Sequence, residues 1–250
     1  MKLLIDIGNT NSSIAFFDKK KVEKRYFIHT DREHINSSAF KRLIGKKLLK
    51  IDAIIIVSVV PKFLALMKKS FKSIMPGIRI YVVGKDITVP MRIRYKNPKE
   101  VGQDRLVASY AAVRLSQAPV IVIDFGTAVT FDYVNKRGEY EGGLIFPGLR
   151  LALKSLLENT ALLPDVSVIK PVKGLIGRNT LGSINKGVVL GYSAVCDSFI
   201  KSFQKKYGAS INVVATGGDA AFIRRYTVGI KKVFPDLIFT GLSLLLENIK

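Results

Sequence analysis

The sequence has few of the residues on which several enzyme classes and extracellular folds depend. Its 250 residues include one cysteine, Cys196, and two histidines, His29 and His34. A single cysteine can form no disulfide within the chain, which argues against disulfide-stabilised secreted scaffolds and favours a reducing, cytoplasmic compartment. The two histidines lie in a polar stretch with the composition of a loop. Zinc hydrolases and Ser-His-Asp enzymes are therefore disfavoured, because both need imidazoles held rigidly.

Long hydrophobic runs are also missing. The most apolar segment, residues 51–60, contains Asp52 and ends before Pro61. It is far shorter than the roughly 20 apolar residues that a membrane-spanning helix needs. Asp6 interrupts the first apolar stretch of the chain, unlike the core of a signal peptide. We therefore expect no membrane segment and no secretion signal.

Acidic residues are scarce relative to basic ones. The chain has 19 Asp and Glu against 40 Lys and Arg, a net charge of +21. Such an excess is typical of nucleic-acid binding, in which cations release counterions from a phosphate backbone, or of a basic enzyme with anionic ligands. The basic residues are scattered and are not interleaved with the aromatic residues that base stacking requires. We favour the enzyme and expect no nucleic-acid partner.

Two common phosphate-binding signatures are absent. The sequence contains neither the P-loop pattern G-x-x-x-x-G-K-[ST] nor the dinucleotide pattern G-x-G-x-x-G. A phosphate site in this chain would therefore depend on other turns and on a metal ion.

A strand–turn–strand pattern is present twice. The first copy has strands at residues 2–7 and 12–17, and the second has strands at 120–123 and 128–133. Aligning Asp6 with Asp124 also aligns Gly8 with Gly126, an offset of 118 residues, which is close to half the chain. Similarity at half length predicts a duplicated domain.

Strands alternate with helices around these hairpins, which predicts an α/β fold. Further strands are predicted at residues 53–59, 79–83 and 211–216, and helices at 62–74, 101–115, 149–158, 184–203 and 236–248. No segment rich in Pro or Ser separates the halves. We predict domains at 1–116 and 117–250, joined by a packed hinge.

Each hairpin turn carries a possible phosphate site. Asp6 and Asp124 end buried strands and are followed by a glycine turn with small polar residues. Such a turn can hold a hydrated Mg²⁺ and a phosphate, because glycine lets the backbone approach the anion. Each could equally be an ordinary hairpin turn, for which Gly-Asn is favoured. Two copies favour a nucleoside triphosphate held between two related lobes.

Four further segments could contribute chemistry. Asp104 and Arg105 start a predicted helix. Asp104 could be a carboxylate that the helix dipole stabilises at the start of the helix, or it could act as a general base while Arg105 binds an anionic group. Residues 141–148 and 177–180 combine glycine-rich loops with apolar neighbours, and a turn or a helix cap would explain them equally well. Thr216, Gly217 and Gly218 could admit a flat base such as adenine or form a simple turn before a helix.

Taken in order, these segments resemble the type III pantothenate kinases of the actin, sugar-kinase and chaperone-ATPase superfamily. The family patterns are D-x-G-N-T, N-P, G-x-D-R, D-x-G-T-A, E-G-G-x-I-x-P-G, G-x-N-T and T-G-G. They correspond here to residues 6–10, 97–98, 102–105, 124–128, 141–148, 177–180 and 216–218. Residues 160–164 are also similar to the family. The resemblance therefore extends over nearly the whole chain.

The resemblance implies two RNase H-like, actin-type α/β lobes with a nucleotide cleft between them. It also implies ATP-dependent phosphorylation of pantothenate, the first step of coenzyme A biosynthesis, by a cytoplasmic homodimer that requires Mg²⁺ and K⁺ or NH₄⁺. Asp104 would be the base, Asp124 would help bind K⁺, and Asp6 would hold Mg²⁺ through phosphate and water. The implied ATP-binding residues are Asp6, Ile7, Gly8, Asn9, Thr10, Asn11, Ser12, Ser13 and Thr127. The implied pantothenate-binding residues are Tyr95, Gly102, Gln103, Asp104, Arg105 and Thr180.

Two positions depart from the family pattern or vary within it. Gln103 stands where the family usually has alanine, beside the implied base, and Arg178 occupies a variable position. Two alternatives stay open from the sequence alone. One is another small-molecule kinase of the superfamily, and the other is a nucleotide-binding regulator without catalysis. The retained Asp104 and Arg105 argue against the regulator, which would need no base.

Overall fold

The computed structural model describes residues 1–18, 21–30, 45, 50–164, 166 and 168–247. The chain forms two units, one of Met1–Ala111 with the residues from Asp236 onwards, and one of Ala112–Pro235. The division differs from the predicted 1–116 and 117–250 because the closing helix packs against the first sheet, where it contacts β1 and β4.

The first unit is a mixed five-stranded sheet with helices. Its strands are β1 (Lys2–Ile7), β2 (Asn11–Asp18), β3 (Lys21–His29), β4 (Ala53–Ser58) and β5 (Arg79–Val82), in the order β3-β2-β1-β4-β5. The first three pair antiparallel, and β4 and β5 continue parallel to β1. The helices are α1 (Pro61–Ile74), α2 (Gln103–Ser116) and α6 (Leu237–Glu247), with a 3₁₀ turn at Pro98–Glu100.

Helix α1 shows why the sequence folds in this way. Pro61 occupies its first turn, where proline removes no needed hydrogen bond. Phe63, Met67 and Phe71 recur at helical spacing, have no exposed surface and belong to one core cluster with Ile5 and Ile56 of the sheet. Their burial is what attaches the helix to the sheet.

The second unit repeats the first sheet. Its strands are β6 (Val120–Phe125), β7 (Ala128–Val134), β8 (Tyr140–Pro147), β9 (Asn212–Gly217) and β10 (Lys232–Val233), in the order β10-β9-β6-β7-β8. Antiparallel and parallel pairs occur in the same sequence as in the first sheet. The helices are α3 (Leu149–Glu158), α4 (Thr180–Tyr207) and α5 (Ala220–Ile223), followed by a 3₁₀ turn at Arg224–Tyr226. The predicted α/β fold of two units is confirmed.

Three local expectations were wrong. Residues 141–148 were expected to form a loop, but Tyr140–Pro147 is strand β8, in which Gly143 lies too close to Phe131 of β7 to allow a side chain. His29 was expected in a loop but ends β3; His34 lies outside the described residues. Helix α4 begins at Thr180 and not at the predicted residue 184; the helix-cap interpretation of the preceding segment is the correct one, because the Asn179 side chain accepts a hydrogen bond from the Gly182 amide.

No helix in the described part of the chain is both long and apolar enough to cross a membrane.

Candidate active site

The turn between β1 and β2 is a tight backbone reversal. The Gly8 amide donates to the Asn11 carbonyl oxygen over 3.2 Å. A Cβ atom on Gly8 would lie 2.9 Å from that oxygen, so the turn excludes larger residues. Asn9, Thr10 and Asn11 are exposed, whereas Ile7 and Ser12 have no exposed surface. The polar side chains of the turn are thus available to a ligand, and the buried residues Ile7 and Ser12 hold the turn in place.

Thr30, which the sequence analysis missed, holds this turn from the third strand. Its amide donates to the Thr10 carbonyl oxygen at 2.9 Å, and its hydroxyl donates to the Gly8 carbonyl oxygen at 2.8 Å. Its hydroxyl also lies 2.9 Å from the hydroxyl of Ser12. No local pattern identifies Thr30, because it is distant in sequence and only strand pairing brings it to the turn.

Asp104 lies in the first turn of α2. Its Oδ1 accepts a hydrogen bond from the Arg105 amide at 2.8 Å. Gly102 leaves room for this carboxylate, since a Cβ atom there would collide with Asp104 Oδ1. Burial raises the pKa of Asp104, although the hydrogen bond and positive charge from Arg105 act in the opposite direction. A carboxylate with a raised pKa is a better proton acceptor than a solvated one.

Gln103, the departure from the family pattern, packs against the turn that follows β5. A Cβ atom on Gly84 would lie 2.7 Å from Gln103 Cδ and 2.8 Å from Cγ. Gly84 also has a φ of 83°, a conformation that favours glycine. The Gly84 amide donates to the Ile87 carbonyl oxygen at 2.7 Å, which fixes the turn. The Gln103 side chain therefore anchors the start of α2 to the sheet.

The β1–β2 turn and the start of α2 share one edge of the first sheet. Strands β1, β4 and β5 are parallel, so their carboxyl ends lie together. Gly8 follows β1, and Gly84, which Gln103 contacts, follows β5, two strands away. Two strand spacings are about 10 Å. In open α/β sheets, ligands bind at the carboxyl ends of the strands.

Two further predicted site residues of this unit are Ser13, which pairs with Asp6 across β1 and β2, and Tyr95, which is partly buried in the segment before α2. The nearby Asn97 accepts a hydrogen bond from the Lys99 amide at 3.3 Å and donates to Glu100 Oε1 at 2.9 Å. The Asn-Pro pair therefore caps the 3₁₀ turn and shapes the approach to α2.

In the second unit, two later motifs converge on the turn that follows Asp124. Gly148 donates its amide to the Thr127 carbonyl oxygen at 3.0 Å, and a Cβ atom on Gly148 would lie 2.5 Å from the Gly126 carbonyl oxygen. Gly217 has a φ of 92°, and a Cβ atom there would collide with Asp124 Oδ1 and lie 2.6 Å from the Phe125 amide nitrogen. The three separate sequence motifs thus form one tightly packed turn.

Thr180 begins α4 beside a groove. Asn179 caps the helix, and a Cβ atom on Gly177 would lie 2.5 Å from Ser183, so the glycine allows the preceding loop to cross the helix start. Thr180 itself is exposed. The adjoining groove has a volume of about 460 Å³, and its lining combines apolar residues with lysines, namely Val168, Lys170, Lys173, Leu181 and Lys186. An anionic ligand with an apolar body suits such a lining.

The described residues contain no group of three or more His, Cys, Asp or Glu side chains that could hold a metal ion. A Mg²⁺ ion that accompanies a triphosphate does not need one, since it keeps several waters and binds one or two carboxylates plus phosphate oxygens. Asp6, next to the β1–β2 turn, fits this requirement.

Asp124 lies opposite Thr130 on β7 and Thr216 on β9, so that oxygen-bearing side chains are neighbours across three strands. Oxygen donors of this kind suit a hard monovalent cation.

Comparison with known proteins decides the family. A model of the family described as type III pantothenate kinase matches residues 2–202. The type III pantothenate kinase of Sulfurihydrogenibium sp. (strain YO3AOP1) is 37% identical over 241 residues, which cover 94% of each chain. This chain belongs to the type III pantothenate kinase family. The family and the enzyme class, a kinase with an alcohol group as acceptor, are therefore confirmed.

Solved structures support the fold of this type III pantothenate kinase. A protein from Campylobacter jejuni described as a conserved putative Baf family transcriptional activator has a TM-score of 0.62 at 20% identity, covering 98% of this chain and 97% of its own. A putative 2-dehydro-3-deoxygalactonokinase from Sinorhizobium meliloti has a TM-score of 0.58 at 11% identity, covering 99% and 98%. At these identities the likeness concerns the fold alone.

Proposed function

We propose that this kinase transfers the γ-phosphoryl group of ATP to the terminal hydroxyl of pantothenate, the first committed phosphorylation of coenzyme A biosynthesis. Besides membership of the family, one structural observation carries the proposal. A half-buried carboxylate, Asp104, begins a helix at the same sheet edge as a glycine turn suited to phosphate. A base and a phosphate site at one edge are the two requirements of phosphoryl transfer to an alcohol.

Asp104 is the proposed general base. It accepts the proton of the substrate hydroxyl while that oxygen bonds to the γ-phosphorus, and the bond to the β–γ bridging oxygen breaks to release ADP. The transition state of phosphoryl transfer is loose, so positioning and charge neutralisation supply most of the catalysis. The raised pKa of Asp104, caused by burial, makes its carboxylate a stronger proton acceptor.

We assign the remaining predicted residues to three ligands. The turn around Gly8 is assigned to the phosphates of ATP, Thr127 in the separate turn after Asp124 is assigned to the same ligand, and Asp6 would hold Mg²⁺ through water and phosphate. Mg²⁺, when bound, neutralises charge on the transferred group. Asp124 contributes to a K⁺ or NH₄⁺ site with the neighbouring threonines. The proposed pantothenate-binding residues are Tyr95, Gly102, Gln103, Arg105 and Thr180, and the lysines of the groove beside Thr180 support binding of an anion there.

We also propose a cytoplasmic homodimer. Large apolar side chains are exposed in the second unit, including Ile145 at 67%, Leu162 at 93%, Leu175 at 79% and Ile176 at 76%. Contiguous apolar patches on the surface typically mark interfaces, and we propose that these side chains contribute to one. Sedimentation velocity of the wild type should show a dimer, and Ile176→Lys should shift the protein towards the monomer. A wild-type monomer at micromolar concentration would contradict the proposal.

The decisive experiment measures ADP release with pantothenate and MgATP, in the presence and absence of K⁺ or NH₄⁺, with the product identified by mass spectrometry. We expect phosphopantothenate to form and the rate to depend on the monovalent ion. ADP release with other alcohols but not with pantothenate would reassign the substrate. Nucleotide binding without turnover of any alcohol would favour a regulator.

A further inference from the structure

Thr30 joins three points of the β1–β2 turn through one short side chain and its own amide. Its hydroxyl donates to the Gly8 carbonyl oxygen at 2.8 Å, and its amide donates to the Thr10 carbonyl oxygen at 2.9 Å. The Ser12 hydroxyl lies 2.9 Å from the Thr30 hydroxyl. These bonds link the first residue after β3 to both ends of the turn.

The direction of these hydrogen bonds follows from proton count. A carbonyl oxygen can only accept, so the single hydroxyl proton of Thr30 is used on Gly8. The Ser12 hydroxyl must then donate to Thr30. Ser12 has no exposed surface, and this bond gives its buried hydroxyl a partner. The result is a directed chain from Ser12 through Thr30 to the Gly8 carbonyl.

The chain fixes the orientation of a peptide group in the turn. In a trans peptide the C=O and the following N–H point in opposite directions. With the Gly8 carbonyl held towards Thr30, the Asn9 amide points away from Thr30. The same bonds keep the negative ends of the Gly8 and Thr10 carbonyl dipoles on the Thr30 side. An anion on the opposite side therefore meets amide donors and avoids the repulsion of carbonyl oxygens.

We infer that Thr30 is a positioning residue for the phosphates of the nucleotide, acting through the Gly8 turn without touching the ligand. The inference rests on the proposed function, since it takes this turn as the phosphate site. It assigns a role in nucleotide affinity to a residue that lies outside every motif found in the sequence.

The test is direct binding of ADP and ATP, measured by titration calorimetry without pantothenate, followed by steady-state kinetics. Thr30→Val keeps the shape and removes the hydroxyl, and we expect both nucleotide dissociation constants to rise about tenfold, the usual scale for losing a buried hydrogen bond. The KM for pantothenate should stay unchanged. Thr30→Ser retains the hydroxyl and should restore binding.

Thr227→Val is the matched control. Thr227 also donates its hydroxyl to a backbone carbonyl, that of Arg224 at 3.3 Å, but in the second unit and outside the proposed site. It should leave nucleotide affinity unchanged. If Thr30→Val does not fold, Thr30→Ala, which removes the same hydroxyl with a smaller side chain, should weaken nucleotide binding in the same direction.

Two results overturn different claims. Equal nucleotide affinity in the wild type and in a folded Thr30→Val or Thr30→Ala variant would overturn the role of Thr30 alone. A wild type that binds nucleotide but does not phosphorylate pantothenate would overturn the proposed function and leave the role of Thr30 standing on the binding data.

Discussion

The two units use equivalent positions to hold their turns in different ways. Thr30 follows the third strand of the first sheet and Gly148 follows the third strand of the second, at the same 118-residue offset that relates Asp6 to Asp124. Both amides donate to a carbonyl of the neighbouring turn, at 2.9 Å and 3.0 Å. In the first unit the Thr30 hydroxyl makes a second hydrogen bond to the turn. In the second unit the turn lies so close to Gly148 that no side chain fits at that position.

The difference shows that the duplicated fold preserves backbone hydrogen bonds more strictly than side-chain identity. Polar side chains hold the turn of the first unit, and close backbone packing holds that of the second. A hydrogen-bonded turn loses ligand affinity when a hydroxyl is removed, and a closely packed turn loses stability when an atom is added. Substitutions at the turn of the first unit should therefore reduce ligand affinity, and substitutions at the turn of the second unit should reduce stability.

The largest expected effect lies in the first unit, at Asp104. Helix α2, after the last strand of the first sheet, has Asp104 in its first turn, whereas α6, after the last strand of the second, has no acidic residue there. Asp104→Asn should lower kcat by about a hundredfold or more, the scale of a lost general base. Steady-state kinetics and circular dichroism would check activity and folding. A folded Asp104→Asn variant with full activity would contradict the role of this residue.

Adding one atom in the second unit should reduce stability. Gly148→Ala places a Cβ atom against the carbonyls of Gly126 and Thr127, and we expect it to lower the free energy of unfolding by about 2 kcal/mol. The control is Gly187→Ala in helix α4, where a Cβ atom meets nothing within 4 Å. It should be neutral or stabilise by up to about 1 kcal/mol. Urea denaturation measures both, and equal stability of the two variants would refute close packing at Gly148.

The pH dependence of activity and of stability should also distinguish the two units, because only the first unit contains the proposed base. Burial raises the pKa of Asp104, so the acid limb of kcat/KM should lie above the usual pKa of aspartate. A raised folded-state pKa also means that ionised Asp104 opposes folding. Its contribution to stability is present below the unfolded pKa and is lost as the pH rises through the folded pKa.

Asp104→Asn should therefore be more stable than the wild type at neutral pH, and this gain should vanish in acid. Thermal unfolding at a series of pH values would measure it. A wild type that is more stable than Asp104→Asn at neutral pH, with the difference lost in acid, would show that the pKa is lowered instead.

The smallest expected effect is at Gln103. Its side chain packs on Gly84 and lies beside the base without replacing it. Gln103→Ala restores the residue usual in the family, so kcat should stay within about a factor of three, with stability lower by up to about 1 kcal/mol from lost contacts. A large fall in kcat would mean that Gln103 is needed for the phosphoryl-transfer step itself, beyond packing and pantothenate binding.

Prediction from sequence succeeded where the signal was local. Strand β1 was predicted at its observed bounds because an apolar run stops at a polar glycine turn, and α3 because its apolar residues recur at helical spacing. Strand β3 was not predicted at all: its alternation is weak and its surface is largely exposed. Strand β8 was mistaken for a loop because glycines usually weaken strands, yet Gly142 and Gly143 are needed there for a bulge and for close approach to β7.

The sequence by itself determined the family and the duplication, because both are written in short motifs whose order along the chain is enough to identify them, and it predicted the chemistry-bearing residues. Only the tertiary structure decided why those motifs contain glycine where they do and which residues support them. Gly148 and Gly217 reach the Asp124 turn, and Thr30 reaches the Gly8 turn, through strand pairing between residues distant in sequence. Contacts of that kind depend on sheet register, which no local pattern encodes.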